Sequence, residues 1–334
     1  DAAAVWHLLE AGTADTVGMT SLPGSMEQAE HLCAESAATV TKLATGGFDL
    51  DDGRYANVLF AAFQAQSGEV LGTSGITFKR AIPNLGVQVT TSLDGLGLTM
   101  RSSSYPWTRT ELNAIYLGAN GRGRRLGSLL SRSRFLFLHL VRTQTPRTIA
   151  AHLRGRIDDD GLAPFWKCFG GQFVPWPNSV EAEAALAAGP DRLDELANLV
   201  LPLTASDLDS LGLVHADSLP AFRMLMAEGL RSNGMYDPID GGPTVVAEID
   251  ETVSSAQRIH GPVAFDLSGT ADALVAVPSV ARFSVVRTLM DVDRDGVIHI
   301  DEASSAALGV VEGDLITAQP LQPRTCTDAM EESR

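Results

Sequence analysis

The chain has 334 residues and a formal net charge of −16, with 41 acidic against 25 basic side chains; that balance disfavours a nucleic-acid-binding role, which needs a basic face. With 45% hydrophobic residues, the length suffices for two or three packed domains. Cys33, Cys168 and Cys326 form no C-x-x-C pair, which excludes a disulfide framework or zinc knuckle, and the absence of an apolar run of membrane length leaves a cytoplasmic, non-membrane location expected.

Residues 1–46 read as helical. In DAAAVWHLLEAG, Val5, Leu8 and Leu9 share one face; GMTSLP (18–23) interrupts the pattern and SMEQAEHLCAESAATVTKLA resumes it. ANVLFAAFQ (56–64) and VLGTSGITF (70–78) are expected as strands joined by the turn AQSGE. The polar, aromatic RSSSYPWTRTE (101–111) leads into another strand, LNAIYL (112–117). GANGRGRRLG (118–127) follows directly and opens a helix, SLLSRSRFLFLHLVRT (128–143). TIAAHLRG (148–155) is the next strand, and LAPFWKCFGGQFV (162–174) reads as a helix passing through glycine into a strand. Residues 176–200, rich in Ala, Glu and Asp, read as helical; SLPAFRMLMAEGLR (218–231) is a helix and IDGGPTVVAEID (239–250) a turn into a strand. Further on, ARFSVVRTLMDVDRDGVIHID alternates apolar and polar residues about a central Asp-Gly, a hairpin signal. EASSAALGVVEGDLITAQPL adds a short helix, a glycine turn and a strand, which together suggest a small β-barrel-like domain.

The strand, the turn RGRRLG and the helix form the most informative local feature. Backbone N–H groups at a helix start are unpaired, and the helix dipole attracts anions to them. Gly123 and Gly127 allow a pyrophosphate to approach the backbone, and Arg122, Arg124 and Arg125 add charge. A basic helix cap without a ligand is the alternative. The pattern resembles the coenzyme A turn of the GCN5-related N-acyltransferases, R/Q-x-x-G-x-G/A, with Arg125 where the first required glycine is expected.

With these elements in place, the chain resembles the arginine N-succinyltransferase family, a branch of that superfamily. The matching stretches are GMTSLP, ELNAIYL, LLSRSRFLFL, LRGRIDDDGLAPFW, LGLVHADSLPAFRMLMAEGLR and IDGGPTVVAEID, in collinear order. The resemblance implies an α+β fold: tandem GCN5-related N-acyltransferase-like halves, each a mixed β-sheet flanked by helices, plus a small C-terminal β-barrel-like domain. The expected divisions are 1–175 with the coenzyme turn, 176–255, the barrel at 256–325 and a tail at 326–334. It also implies succinyl transfer from succinyl-CoA to the α-amino group of arginine, no metal, and a homo-oligomer or an assembly with a paralogue. The family's proton-donating His, in V-H-x-x-x-x-P-A, falls on His215, and a coenzyme-binding strand position on Ile115, with Leu117 ending that strand.

An amine that attacks a thioester needs positioning, an oxyanion donor, a route for the amine proton and an acid for the leaving thiolate. Many relatives supply the acid as a Tyr in the late helix; here that place holds Phe165-Trp166, and the indole N–H is no useful acid. His215 suits the role by its ordinary pKa near neutrality, and read bare it is equally a helix-leading or capping residue. Glu111 is either a water-mediated relay for the amine proton or a strand-end surface charge. Arg154 either clamps the succinyl carboxylate in two-pronged fashion or pairs with Asp158 or Asp159. Asp240 either holds a guanidinium or amine or is a turn residue before Gly-Gly. Ser131 and Ser133 either touch phosphate or are polar helix positions.

The segment SLDGLGLTMRSSSYPWTRTEL lacks the family's Asn-Asp-His-Thr-Gly run. Ornithine or another amine is therefore an alternative acceptor, and a non-catalytic ligand-binding member of the fold a second alternative. DVDRDGVIHIDE (291–302) carries calcium-loop spacing, with Asp291, Asp293 and Asp295 at alternate positions. Its flank ARFSVVRTLM is β-branched where a calcium loop of this kind needs a helix, so a hairpin turn at Asp295-Gly296 is expected instead.

Overall fold

The computed structural model describes residues 2–11, 22–50, 55–80, 83–92, 95–104, 108–159, 161–170, 200–202, 208–266 and 269–321. Helix α1 (Ala2–Glu10) buries Val5 and Leu9 against Tyr116, with Leu59 alongside. Helix α2 (Met26–Ala44) starts where the sequence pattern resumes, because Ser25 Oγ accepts the Gln28 N–H at 3.2 Å.

Nine strands among the described residues form one mixed sheet. They are β1 (Tyr55–Phe63), β2 (Val70–Lys79), β3 (Pro83–Ser92), β4 (Gly95–Ser104), β5 (Arg109–Leu117), β6 (Thr148–His152), β7 (Val200–Pro202), β8 (Arg231–Tyr236) and β9 (Pro243–Glu248). Their order is β1-β2-β5-β6-β9-β8-β3-β4-β7. Only β5 and β6 pair in parallel; the other neighbours are antiparallel. Strands on both sides of residue 176 share this sheet: β9 pairs with β6, and the β3–β4 hairpin lies between β8 and β7. That hairpin occupies a stretch with no expected strand. Its signal was present, since Val87 and Val89 alternate ahead of Asp94-Gly95 and Leu96 and Leu98 after it. The strand expected at 172–174 lies outside the described residues, as does the helix expected at 176–200 apart from Val200, which opens β7.

Helix α3 (Leu126–Val141) crosses from β5 to β6 and is buried nearly all round, as its run of apolar residues demands. On the sheet side Phe137 meets Phe60 edge-on at 5.3 Å, and Ser74 Oγ donates to Leu130 O at 3.1 Å. On the other side Leu136 packs on Leu274 and Ala276 of the C-terminal domain. Helices α4 (Leu219–Ala227) and α5 (Val253–Gln257) complete this layer.

The C-terminal domain is a closed five-stranded barrel, as expected. Its strands are β10 (Ile259–Phe265), β11 (Ala271–Ala276), β12 (Val285–Val292), β13 (Ile298–Ile300) and β14 (Leu315–Pro320), in the order β10-β13-β12-β11-β14. Val263, Val275, Ile298, Ile300 and Ile316 fill it. A buried polar joint ties it to α3. Glu228, 0% exposed, pairs with Arg132 at 3.3 Å and accepts both the N–H and Oγ–H of Ser254, whose hydroxyl in turn accepts from Gln319 Nε2 of β14 at 2.7 Å.

The 291–302 stretch is the hairpin turn between β12 and β13. Gly296 takes φ 80° and donates to Asp293 O, while Asp293 Oδ1 accepts the Asp295 and Val297 N–H groups. Asp301 caps α6 (Glu302–Leu308) by accepting the Ser304 N–H at 2.8 Å. Asp293 and Asp301 thus serve backbone donors and Asp291 accepts from Thr270 Oγ1 at 3.2 Å, and among the described residues no three His, Cys, Asp or Glu side chains gather as metal ligands.

Candidate active site

Strands β5 and β6 pair at Thr110–Ile149 and Glu111–Ala150 only, although β5 runs on to Leu117 and β6 to His152. On its other side β5 stays paired with β2 through a bulge: Ala114 and Ile115 stand opposite the single Ser74. Ala114 takes φ 50°, a left-handed conformation that costs a residue with a side chain about 1–2 kcal/mol. Tertiary contacts hold it there: Thr73 Oγ1 donates to Ala114 O at 3.2 Å and Arg134 Nη1 to Asn113 O at 3.4 Å. Past Glu111 the β5–β6 ladder stops, so among the described residues Ile115 and Leu117 have no β6 residue paired beside them. An extended, amide-bearing ligand can lie there as a strand would.

At the far end of β5 the chain turns. Gly118 N–H donates to Leu71 O at 3.1 Å, a tight turn covers Ala119–Gly121, and Arg122, Gly123, Arg124 and Arg125 stand exposed. Arg125 precedes α3 at φ 61°, ψ 15°, and no side chain caps the helix start. The left-handed backbone explains why the resembled motif places glycine here: only glycine adopts it freely. The uncapped N–H groups of the first turn, with Gly127 beside them, form an anion-receiving end. The Arg125 guanidinium reaches Asp272 of β11 at 3.8 Å, and Asp272 is held by both arms of Arg287. The Arg287 hydrogen bond, with the charges of Arg287 and Arg125, keeps the Asp272 carboxyl below its ordinary pKa.

A second cluster lies where β5 and β6 part. Glu111 accepts from Arg109 Nε at 2.8 Å and Nη2 at 2.7 Å, and from Lys79 Nζ at 2.5 Å; His152 Nε2 is 3.5 Å away. His152 Nδ1 meets Thr244 Oγ1 at 2.9 Å. Burial would raise the Glu111 pKa, but the His152 hydrogen bond and the charges of Lys79, His152 and Arg109 outweigh it and hold the carboxyl far below the usual range. Glu111 is a fixed anion with little proton affinity.

Just past β6, Gly155 bridges to Val214, and His215 N–H donates to Arg154 O at 2.9 Å. Asp240 closes the arrangement: its two oxygens accept the N–H groups of Gly155 at 2.7 Å and Gly242 at 2.8 Å. The backbones meet so closely that a Cβ on Gly242 would come within 2.0 Å of Leu153 O. Burial first, then Asp237, pushes the Asp240 carboxyl up to about 7. His215 Nδ1 accepts the Asp217 N–H at 3.2 Å, which leaves Nε2 to carry a proton outward. Burial and the neighbouring Arg154 charge lower the His215 pKa below its ordinary 6.5, against the opposing effect of Asp217. Asp158 pairs with Arg156 and Lys167, and among the described residues no carboxylate lies within ion-pair distance of Arg154.

The structure therefore brings Arg154, His215 and Asp240 to one place, and His152 links Glu111 to them two residues upstream of Arg154. Ser131 and Ser133 lie inside, 1% and 5% exposed, and serve Arg134 and the helix backbone. Lys79, Arg109, His152 and Arg134 escaped the sequence reading. The Arg109-x-Glu111 spacing, which puts both side chains on one strand face, was the one available signal.

Parallel strands that part after two pairs, a bulge on the first of them, and an arginine-glycine turn into the helix between them define the acyl-CoA-dependent N-acyltransferase class. A family model described as the arginine N-succinyltransferase beta subunit matches residues 1–254, so the chain belongs to the arginine N-succinyltransferase family. It is 30% identical over 338 aligned residues to the arginine N-succinyltransferase of Yersinia enterocolitica, with 92% of each chain covered. It is 28% identical over 268 residues to arginine N-succinyltransferase subunit beta of Pseudomonas aeruginosa, covering 75% of each. The solved structure of arginine/ornithine succinyltransferase subunit AI from Pseudomonas aeruginosa shares the fold, with a TM-score of 0.78, 24% identity and 96% of each chain covered. No helix among the described residues is long and apolar enough to cross a membrane.

Proposed function

We propose that this protein transfers a succinyl group from succinyl-CoA to the α-amino group of arginine. One observation carries the reading: two parallel strands part, an anion-receiving turn follows the first, and Arg154, with no carboxylate in ion-pair distance among the described residues, follows the second beside His215. In this reading the open backbone at Ile115 and Leu117 receives the amides of the pantetheine arm. Arg122, Gly123, Arg124, Arg125 and Gly127 receive the pyrophosphate. Glu111 has too little proton affinity to keep the amine proton; it fixes His152, which takes that proton. His215 Nε2 delivers a proton to the leaving thiolate from the imidazolium, in which Nδ1–H turns from the Asp217 N–H to Asp217 Oδ2, 3.5 Å away; the lowered pKa makes that imidazolium a stronger acid than free histidine. Arg154 grips a substrate carboxylate, and Asp240 holds the Gly155 backbone in place beneath it.

Ornithine is the alternative acceptor, because the structural relative is named for both amino acids. Relatives named as subunits motivate assembly with a second copy or a paralogue, and the co-substrate implies a cytoplasmic site of action. The test is release of free CoA from succinyl-CoA across a panel of amino acids. His215→Ala is expected to lower kcat by about 100-fold or more, with coenzyme affinity kept within about 3-fold. Full activity in that variant removes His215 from the mechanism.

A further inference from the structure

The proposed reaction has two carboxylates to place, one on the acyl group and one on the amino acid, and this inference rests on that reading. Two arginines are buried among the described residues: Arg109, 1% exposed, and Arg134, 2% exposed. Arg109 has Glu111 as its counter-ion. Arg134 has none. Its Nε donates to Ser131 O at 3.2 Å, Nη2 to Ser131 Oγ at 3.2 Å, and Nη1 to Asn113 O at 3.4 Å. These bonds use three of the five N–H groups that a guanidinium carries, and every acceptor is neutral.

Burial lowers the Arg134 pKa to about 10, which still leaves it protonated at neutral pH. A buried, uncompensated cation is costly to a folded protein unless something else rewards it. Its position supplies the reward. Asn113 stands two residues past the last β5–β6 pair and directly before the Ala114 bulge, at the closed end of the opening. An acyl chain carried down the parting strands ends there, whereas an amino acid arriving from solvent meets Arg154 at the rim.

We infer that Arg134 receives the free carboxylate of the acyl group and sets the preference for a dicarboxylic acyl-CoA, while Arg154 holds the carboxylate of the amino acid. The geometry suits a guanidinium fork with two N–H groups to spare. The succinyl carboxylate is thereby assigned to a residue inside α3 and not to Arg154, one of the two roles the sequence left open for that arginine.

The experiment compares succinyl-CoA with butyryl-CoA, which has the same carbon count and no charge, in the wild type, Arg134→Met and Arg134→Lys. Arginine and ornithine serve as acceptors. Arg134→Met is expected to lose roughly 100-fold in the kcat/KM ratio of succinyl-CoA over butyryl-CoA, and Arg134→Lys about 10-fold. Arg134→Lys keeps a donor for Asn113 O beside the Ala114 bulge, so in that variant affinity for unacylated CoA is expected within about 3-fold of wild type. The melting temperature of the free Arg134→Met protein is expected to hold or rise, because an uncompensated charge has left the interior. Equal losses for both acyl-CoAs, or an unchanged ratio in a folded Arg134→Lys protein, overturn the assignment. A wild type that releases no CoA from succinyl-CoA with either acceptor overturns the proposed function itself, and this inference with it.

Discussion

Replacing Glu228 by alanine strikes the joint between the sheet layer and the barrel. Glu228 is fully buried, and its carboxylate serves Arg132 at 3.3 Å and both donors of Ser254, at 3.0 and 2.7 Å. Ser254 is 3% exposed, so its N–H and hydroxyl lose their acceptor without gaining water. Each stranded donor costs about 1–3 kcal/mol. Arg132, 18% exposed, turns toward solvent at smaller cost. The loss is therefore about 3–5 kcal/mol, in the range for breaking one side of a buried pair. Glu228→Gln keeps an acceptor for Ser254 and loses about half as much. Urea unfolding gives the assay, followed by both tryptophan fluorescence and far-ultraviolet circular dichroism. All four tryptophans, Trp6, Trp107, Trp166 and Trp176, precede the barrel in sequence, so fluorescence carries no signal from a barrel residue while dichroism follows both domains. In Glu228→Ala the two curves are expected to separate as the barrel loosens first. Coincident curves with a stability within about 1 kcal/mol of wild type would show that the joint is incidental.

Arg125→Gly relieves about 1 kcal/mol of left-handed backbone, which the greater freedom of glycine in the unfolded chain offsets by about 0.5–1 kcal/mol. Its stability should match wild type in thermal melts, while calorimetry shows weaker CoA binding; tighter binding would mean that the side chain obstructs the turn. Arg154→Met removes a positive charge that disfavours imidazolium, so the His215 titration followed by NMR should move up toward 6.5. A midpoint that stays put would separate the two residues electrostatically. Asp291→Ala should give the same calcium titration as wild type, namely no saturable binding, since Asp293 serves the backbone donors of that turn and Asp291 accepts from Thr270 Oγ1; a lost binding isotherm would restore the calcium reading.

Local chemistry was legible in the sequence. The glycine turn, the helix after it and the flanking strands at 112–117 and 148–152 follow from side-chain pattern and turn residues alone. The bulge was not legible, because nothing in NAIYL asks an alanine to adopt φ 50°. Thr73, 41 residues away in sequence, and Arg134, 21 residues from Asn113, impose it. The β3–β4 hairpin was written in its alternation, and the neighbouring run of polar and aromatic residues masked it. Arg154, His215 and Asp240 were each ambiguous alone; the Gly155–Val214 bridge and the Gly155–Asp240 bond that join them are long-range pairings that no local pattern encodes. The calcium spacing at 291–302 shows the reverse case, in which side chains match a motif but the preceding backbone is a strand.

The reach of Asp272 to Arg125 has a practical consequence for anyone who trims this chain. The family model ends at residue 254, which invites a cut just beyond it. Such a fragment would retain every residue proposed for the chemistry and still be a different receptor. Arg125 would swing untethered, Ser254 would lose Gln319, and the outer flank of α3 at Leu136 would face water. In the proposed reaction the barrel is thus scaffolding for its neighbour's grip, and the unit to express for its assay extends well past the last residue of the sheet.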